Sequence, residues 1–196
     1  MEFLPSITPE QINKLPEFEH TGDIILVDTV KKLNQVSFEL ISECTWGFDT
    51  ETRPNFVKGR RNPYKIALLQ LSNAHTTYLF RVQKIGMNEI LKHILLQEKV
   101  VKIGAAVRDD IAELRRFAKI EPKGFIDLQI ETNKYGIIDN GLRNMVAIVL
   151  GKRISKSQQL SNWENETLTD KQIMYAAIDA RVCYLIYKKL QNIKQS

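Results

Sequence analysis

Long apolar runs are missing from this chain. No uninterrupted hydrophobic stretch in its 196 residues is long enough to span a bilayer, which excludes a bilayer-crossing helix. The opening "MEFLPSITPEQINKLPEF" has early acids and prolines and no basic-then-apolar order, so no secretory signal is expected and the chain reads as cytoplasmic. Cysteine is scarce. Cys44 and Cys183 form no metal-like spacing and sit among apolar neighbours, which predicts two buried reduced thiols. Repeats and low-complexity tracts are absent too. What is present is 43% hydrophobic and 26% charged residues, the balance of a globular domain. The net charge of +5 leans toward an anionic partner such as nucleic acid, and not toward a membrane.

The length suits one well-packed domain. Residues 1–22 read as a lead-in, with "TPEQINKL" supplying a Thr cap and Pro at the first helical position of a short helix. Residues 23–196 read as the domain. Strands are expected at 23–29, 45–52, 65–72 and 76–82, the last two joined as an antiparallel meander, and at 100–107. Helices are expected at 30–43, 87–98, 108–119, 141–151 and 169–193, with a short segment at 124–132. Hairpin strands followed by alternating strand and helix predict an α/β fold, a mixed sheet with helices on its faces.

Three places carry acids that need explaining. In "TWGFDTET" strand alternation puts Asp49 and Glu51 on one face and Trp46, Phe48 and Thr50 on the other. Two parallel carboxylates either sit in water at a strand end or hold a cation. In "IMYAAIDARVCYLIY" apolar residues occupy nearly the whole helix circumference, so an ionised Asp179 is costly unless paired or metal-bound, and Tyr175 lies one turn above it. In "RDDIAELRRF" Asp110 shares a face with Leu114 and Phe117, whereas Asp109 falls on the wet side. Either acid also suits the positive end of the helix dipole.

In their order and elements, "FDTE", "GAAVRDD" opening a helix and "YAAIDA" in a late helix resemble the DEDD superfamily of 3′-to-5′ exonucleases. The branch is the one with ribonuclease D and the Werner-type exonuclease domain. The likeness runs from about Ile24 to Leu190 and includes the basic loop, Asn-Trp and Leu-Thr of "LGKRISKSQQLSNWENETLTDKQIMYAAIDA". It implies an RNase H-like fold whose four carboxylates, here Asp49, Glu51, Asp110 and Asp179, bind two divalent cations, Mg²⁺ or Mn²⁺. It also implies cleavage at DNA 3′ ends with release of nucleoside 5′-monophosphates. Tyrosine four residues before the last Asp marks the tyrosine subclass, in which Tyr175 orients the attacking water.

Substrate contacts are expected from Thr50, from Arg53, Arg60 and Arg61 in the loop after the first motif, and from Trp163. The basic stretch "GKRISKS" at 151–157 is a second phosphate-steering candidate. Ala112 stands where Werner-type members carry an aromatic, which bears on substrate choice. Ribonuclease D-like proteins usually add helical RNA-binding domains where this chain ends, which ranks RNA trimming behind DNA; a non-catalytic nucleic-acid-binding module ranks last, because no acidic motif residue is lost. A protein partner for targeting is a further expectation, with no residue to identify it.

Overall fold

The computed structural model describes residues 3–56 and 62–194. Helix α1 (Pro9–Asn13) begins as its sequence dictates. The Thr8 side chain accepts from the Gln11 N–H, and the Gln11 side chain accepts from the Thr8 N–H at 2.8 Å. Strand β1 (Asp23–Val27) and helix α2 (Val30–Ser42) follow, then β2 (Thr45–Thr52), β3 (Ile66–Ser72) and β4 (Thr76–Phe80). Helices α3 (Val82–Ile85) and α4 (Glu89–Leu96) lead into β5 (Val101–Gly104), α5 (Val107–Ala118) and β6 (Phe125–Asp127). Helices α6 (Leu128–Asn133) and α7 (Leu142–Met145) precede the long α8 (Asp170–Lys194). The expected 141–151 helix changes winding midway, because Val146–Leu150 continue α7 as a π-helical turn.

One sheet results, in the order β1-β4-β3-β2-β5-β6. The β2–β3 and β3–β4 pairs are antiparallel and the other three parallel, so the sheet is mixed as the sequence predicts. Alternation along β2 divides the core. Trp46 and Phe48 face one layer, where they pack with Leu33 and Leu40 of α2, Leu91 and Leu95 of α4 and Leu114 of α5. The opposite face is covered chiefly by α8, packed through Ala176 and Ala177 on Leu68 and Leu79 and through Val182, Cys183 and Ile186 on Ile103 and Met145.

Helix α8 is pinned at its start and near its middle. Thr169 and Gln172 form a reciprocal cap, with the Thr169 N–H donating to Oε1 of Gln172 at 3.0 Å. Arg181 does not pair with Asp179. Its guanidinium is buried and donates to the carbonyls of Asn73 and, at 2.6 Å, Ala74 in the β3–β4 turn. A second buried cation, Lys102, donates to the carbonyls of Ile94, Gln97 and Val100, closing the end of α4. Cys183 is buried as expected, but Cys44 is exposed, because it falls at the turn between α2 and β2 and not inside either.

The lead-in lies against the domain. Ile12 is buried, Pro5 O accepts from Ile138 and Asp139, and the Phe18 N–H donates to Arg153 O at 2.9 Å. No helix among the described residues is long and apolar enough to cross a membrane.

Candidate active site

The site forms where α8 crosses β2. A Cβ built on Gly47 would lie 2.0 Å from the Ala180 carbonyl oxygen, so the two backbones approach as closely as they do only because position 47 has no side chain. That contact sets Asp179 beside the next residues on the same face of β2, Asp49 and Glu51. Carboxylate oxygens of Asp49, Glu51 and Asp179 all lie within 4.8 Å of one another.

Asp110 arrives from the other layer. Before α5 the chain takes a left-handed turn at Ala106 (φ 59°), a conformation costly for a non-glycine residue, and the Ala106 N–H is held by Oδ1 of Asp127 at 3.0 Å. The same Asp127 oxygen caps α6 by accepting from the Gln129 N–H at 2.9 Å. Helix α5 then presents Asp110 in its first turn, half-buried, with Asp109 exposed. The Thr50 hydroxyl, on the α5 side of β2, donates to Asp110, while the Thr50 N–H donates to Oδ1 of Asp49 at 2.9 Å. Thr50 therefore joins the two halves of the acidic set. Asp110 stands next to the close cluster of three, and its charge raises the pKa of Asp49 and of Glu51.

Every one of these carboxyls is pushed upward. Burial comes first for Asp49, followed by repulsion from Asp110 and Asp179. Burial, followed by repulsion from Asp49, Asp179 and Asp110, takes Glu51 up to about 10. Burial lifts Asp110 to about 7 against the opposing hydrogen bond from Thr50. It lifts Asp179 to about 7 against the Tyr175 hydroxyl and the charge of Lys156, both of which favour the carboxylate. Burial, with Asp179 and Glu51 behind it, pushes the Tyr175 phenol far above its ordinary range, so it stays protonated and donates. Among the described residues none of the four carboxyls forms an ion pair with lysine or arginine. Desolvated, convergent and all-oxygen, this donor set fits hard divalent cations.

Asp49, Glu51 and Asp179 line an open cleft of about 280 Å³, together with Tyr175 and with Gln129, Arg143, Ser155, Lys156 and Gln159. Lys156 belongs to the expected basic stretch at 151–157. Arg143 and the two glutamines went unnoticed in the sequence, since a single basic residue in a helix that reads as core carries no pattern. Arg143 donates to Oδ1 of Asn13 at 3.0 Å, which ties the lead-in to the cleft wall.

Other expected contacts fall elsewhere. Arg53 lies over the Tyr64 ring at 4.6 Å and 3.6 Å from Glu164, beside a separate hollow. Arg60 and Arg61 lie outside the described residues. Trp163 is corrected as a surface for stacking substrate: it is fully buried, and its ring sits 6.0 Å from that of Tyr175, where it backs the tyrosine.

The sequence model of a 3′-5′ exonuclease family matches residues 22–195. The bifunctional 3′-5′ exonuclease/ATP-dependent helicase WRN of Mus musculus is 29% identical over 92% of this chain and 14% of its own length. Ribonuclease D of Xanthomonas oryzae pv. oryzae is 28% identical over 74% of this chain and 39% of its own. The chain thus spans well under half of either curated relative. Among solved structures, the Aedes aegypti Nibbler EXO domain superposes with a TM-score of 0.76 at 24% identity, covering 86% of this chain and 87% of that one, and so shares its fold.

Proposed function

The chain belongs to the 3′-5′ exonuclease family, and from that membership we propose that it removes nucleotides one at a time from DNA 3′ ends, releasing nucleoside 5′-monophosphates. The observation that carries this reading is the convergence of Asp49, Glu51 and Asp179 within 4.8 Å beside Tyr175, in a cleft open to a strand end. DNA stands first because the similarity to WRN extends over 92% of the chain and that to DNA polymerase I of Aquifex aeolicus over 90%, against 74% and 86% for two ribonucleases D. RNA is the second reading, favoured by those ribonuclease D relatives themselves.

In the reaction a water oxygen forms a bond to phosphorus and the bond to the 3′-oxygen of the preceding nucleotide breaks, that oxygen taking a proton. Asp49, Glu51, Asp110 and Asp179 would hold two divalent cations, Mg²⁺ or Mn²⁺, which would supply Lewis acidity for water and for the leaving oxygen. The chain's own part is positioning. Thr50 fixes Asp49 and Asp110 relative to each other. Lys156 and Arg143 give the cleft wall positive charge for the phosphate. Tyr175 is no base, since its proton is held above any working pH. Its hydroxyl aligns water, with Asp179 and the buried Trp163 fixing the ring. Tyr175→Phe is therefore expected to lower kcat by about 10²-fold with KM nearly unchanged, the signature of lost alignment and not of lost binding.

The function is tested by digesting matched 5′-labelled single-stranded DNA, recessed duplex DNA and RNA with Mg²⁺, Mn²⁺ or EDTA. A ladder that shortens from the 3′ end and disappears in EDTA is expected, strongest on DNA. A stronger ladder on RNA selects the second reading, and no ladder with either metal overturns both.

A further inference from the structure

Strand β3 carries one residue that packing does not explain. The strand is buried at every position, and its sequence, "IALLQLS", is apolar except for Gln70 and the terminal Ser72. Gln70 is 0% exposed, and neither its Oε1 nor its Nε2 has a hydrogen-bond partner among the described residues. No other described residue buries both a donor and an acceptor of its side chain unpaired. An amide taken out of water and left unbonded opposes folding, a cost that a leucine would not carry. Ser72, also buried, shows the contrast: its Oγ lies 2.7 Å from Thr77 Oγ1, which is in turn 3.0 Å from Nε2 of His20.

Register places this amide against the acidic set. Gln70 pairs with Asp49 across the antiparallel β2–β3 ladder, as Leu68 pairs with Glu51, and directly opposed side chains share a face. That face is covered by α8, which packs on Leu68 and on Leu79, the partner of Gln70 in β4. Cβ atoms of such pairs stand about 4.5–5.5 Å apart, a gap that a glutamine closes by rotation about its side-chain bonds. Asp49 has acceptor capacity to spare. Among the described residues the hydrogen bond it accepts is the one from the Thr50 N–H to Oδ1.

We propose that Gln70 is a positioning residue for cation binding, its Nε2 donating to the Asp49 carboxylate when that group is ionised and holds a divalent cation. The role rests on the exonuclease reading only through the cation site. With about four acceptor sites on its two oxygens, an ionised Asp49 accommodates Thr50, Gln70 and a cation together. A donor from the neighbouring strand fixes the rotation of the carboxylate relative to Glu51 and Asp179, and it favours the ionised form that a cation requires. An amide supplies this bond without a charge, whereas a lysine at the same place would repel the cation. Because the amide has no other partner, the gain from the bond accrues to the cation-bound form.

Gln70→Met and Gln70→Leu, which keep the bulk and remove the amide, test the role in the full chain. Mn²⁺ is titrated into each by calorimetry without substrate, and melting is followed in EDTA. Both variants are expected to bind Mn²⁺ about tenfold more weakly than the parent. In EDTA they are expected to melt at the parent's temperature or a few degrees above it. Digestion of labelled single-stranded DNA is expected to need about tenfold more Mn²⁺ for its half-maximal rate, with the KM for DNA unchanged. A merely structural amide would lower affinity and melting temperature together. Mn²⁺ affinity equal to the parent's overturns the proposal, and so does a loss of affinity accompanied by a lower melting temperature in EDTA for both variants. A parent chain that binds no Mn²⁺ overturns it as well. Binding weakened as expected in a chain that shortens no strand keeps the role of Gln70 and overturns the exonuclease reading instead.

Discussion

Asp49→Asn is expected to lose hydrolysis by about 10³-fold or more and, in EDTA, to melt at a higher temperature than the parent chain. Both effects follow from the same geometry. Asp49 lies in reach of Glu51 and Asp179 and beside Asp110, in a setting where burial already opposes ionisation. Asparagine keeps the shape and still offers an oxygen to the Thr50 N–H, which Oδ1 of Asp49 accepts at 2.9 Å. What it removes is a negative charge that the cation-free fold has to bury next to others of its own sign. For a chain of this length each 1 kcal/mol relieved raises the melting temperature by about 2–4 °C. With saturating Mn²⁺ the order is expected to reverse, because the parent gains a bound cation and the variant binds it poorly. Calorimetry in EDTA and in Mn²⁺, beside digestion of labelled DNA, checks both signs. Substantial hydrolysis by Asp49→Asn would remove Asp49 from the metal set.

Part of the acidic set stood out in the sequence because its cost is visible there, whereas Asp110 read equally well as an acid at the positive end of a helix dipole and joined the set only through the family resemblance. An aspartate inside "IMYAAIDARVCYLIY" has no apolar reason to exist, and alternation in "WGFDTE" places two acids on one face without further help. Strand positions were legible for the same reason: β2 begins and ends where its pattern does. Less visible was what brings those acids together. The Gly47–Ala180 approach is a property of two elements over 130 residues apart in sequence, and a glycine between two aromatics reads locally as a weak point in a strand. Nor does sequence show that Ala106 takes a left-handed turn held by Asp127, since alanine gives no turn signal and an isolated Asp reads as a helix cap, a role it also fills. Trp163 could be read from the sequence as stacking substrate or as supporting the site, and its full burial beside Tyr175 agrees with the second. Arg143 lines the cleft from α7, where a single basic residue in a segment that reads as core carries no pattern to announce it.

The stability of the cation-free protein is expected to fall as pH rises from about 5 to about 8, and the stabilisation by Mn²⁺ to grow over the same span. Asp110 and Asp179 are raised to about 7 in the folded chain and Glu51 to about 10, against ordinary values of 3.8 and 4.5. Between those limits the folded chain keeps protons that the unfolded chain has released. Stability from these groups is therefore complete below about pH 4, falls above it, and is fully lost by about pH 7 for Asp110 and Asp179 and by about 10 for Glu51. Each such proton contributes a slope of up to about 1.4 kcal/mol per pH unit.

Carboxyls lowered by ion pairs, such as Glu131 with Lys134 and Lys194, act below pH 4.5 and leave this window flat. Two groups oppose the trend. His20, lowered chiefly by burial, adds stability as pH rises through its unfolded value near 6.5, and Lys102, lowered to about 8, does so above pH 8. Each is a single group against several carboxyls, so the net sign stays negative up to about pH 8. Cations and protons compete for the same oxygens, which makes the increment from Mn²⁺ smallest at the acid end, where the site is largely protonated. Melting curves at matched pH with EDTA and with Mn²⁺ separate the two effects. A cation increment independent of pH would place ion binding away from these carboxylates.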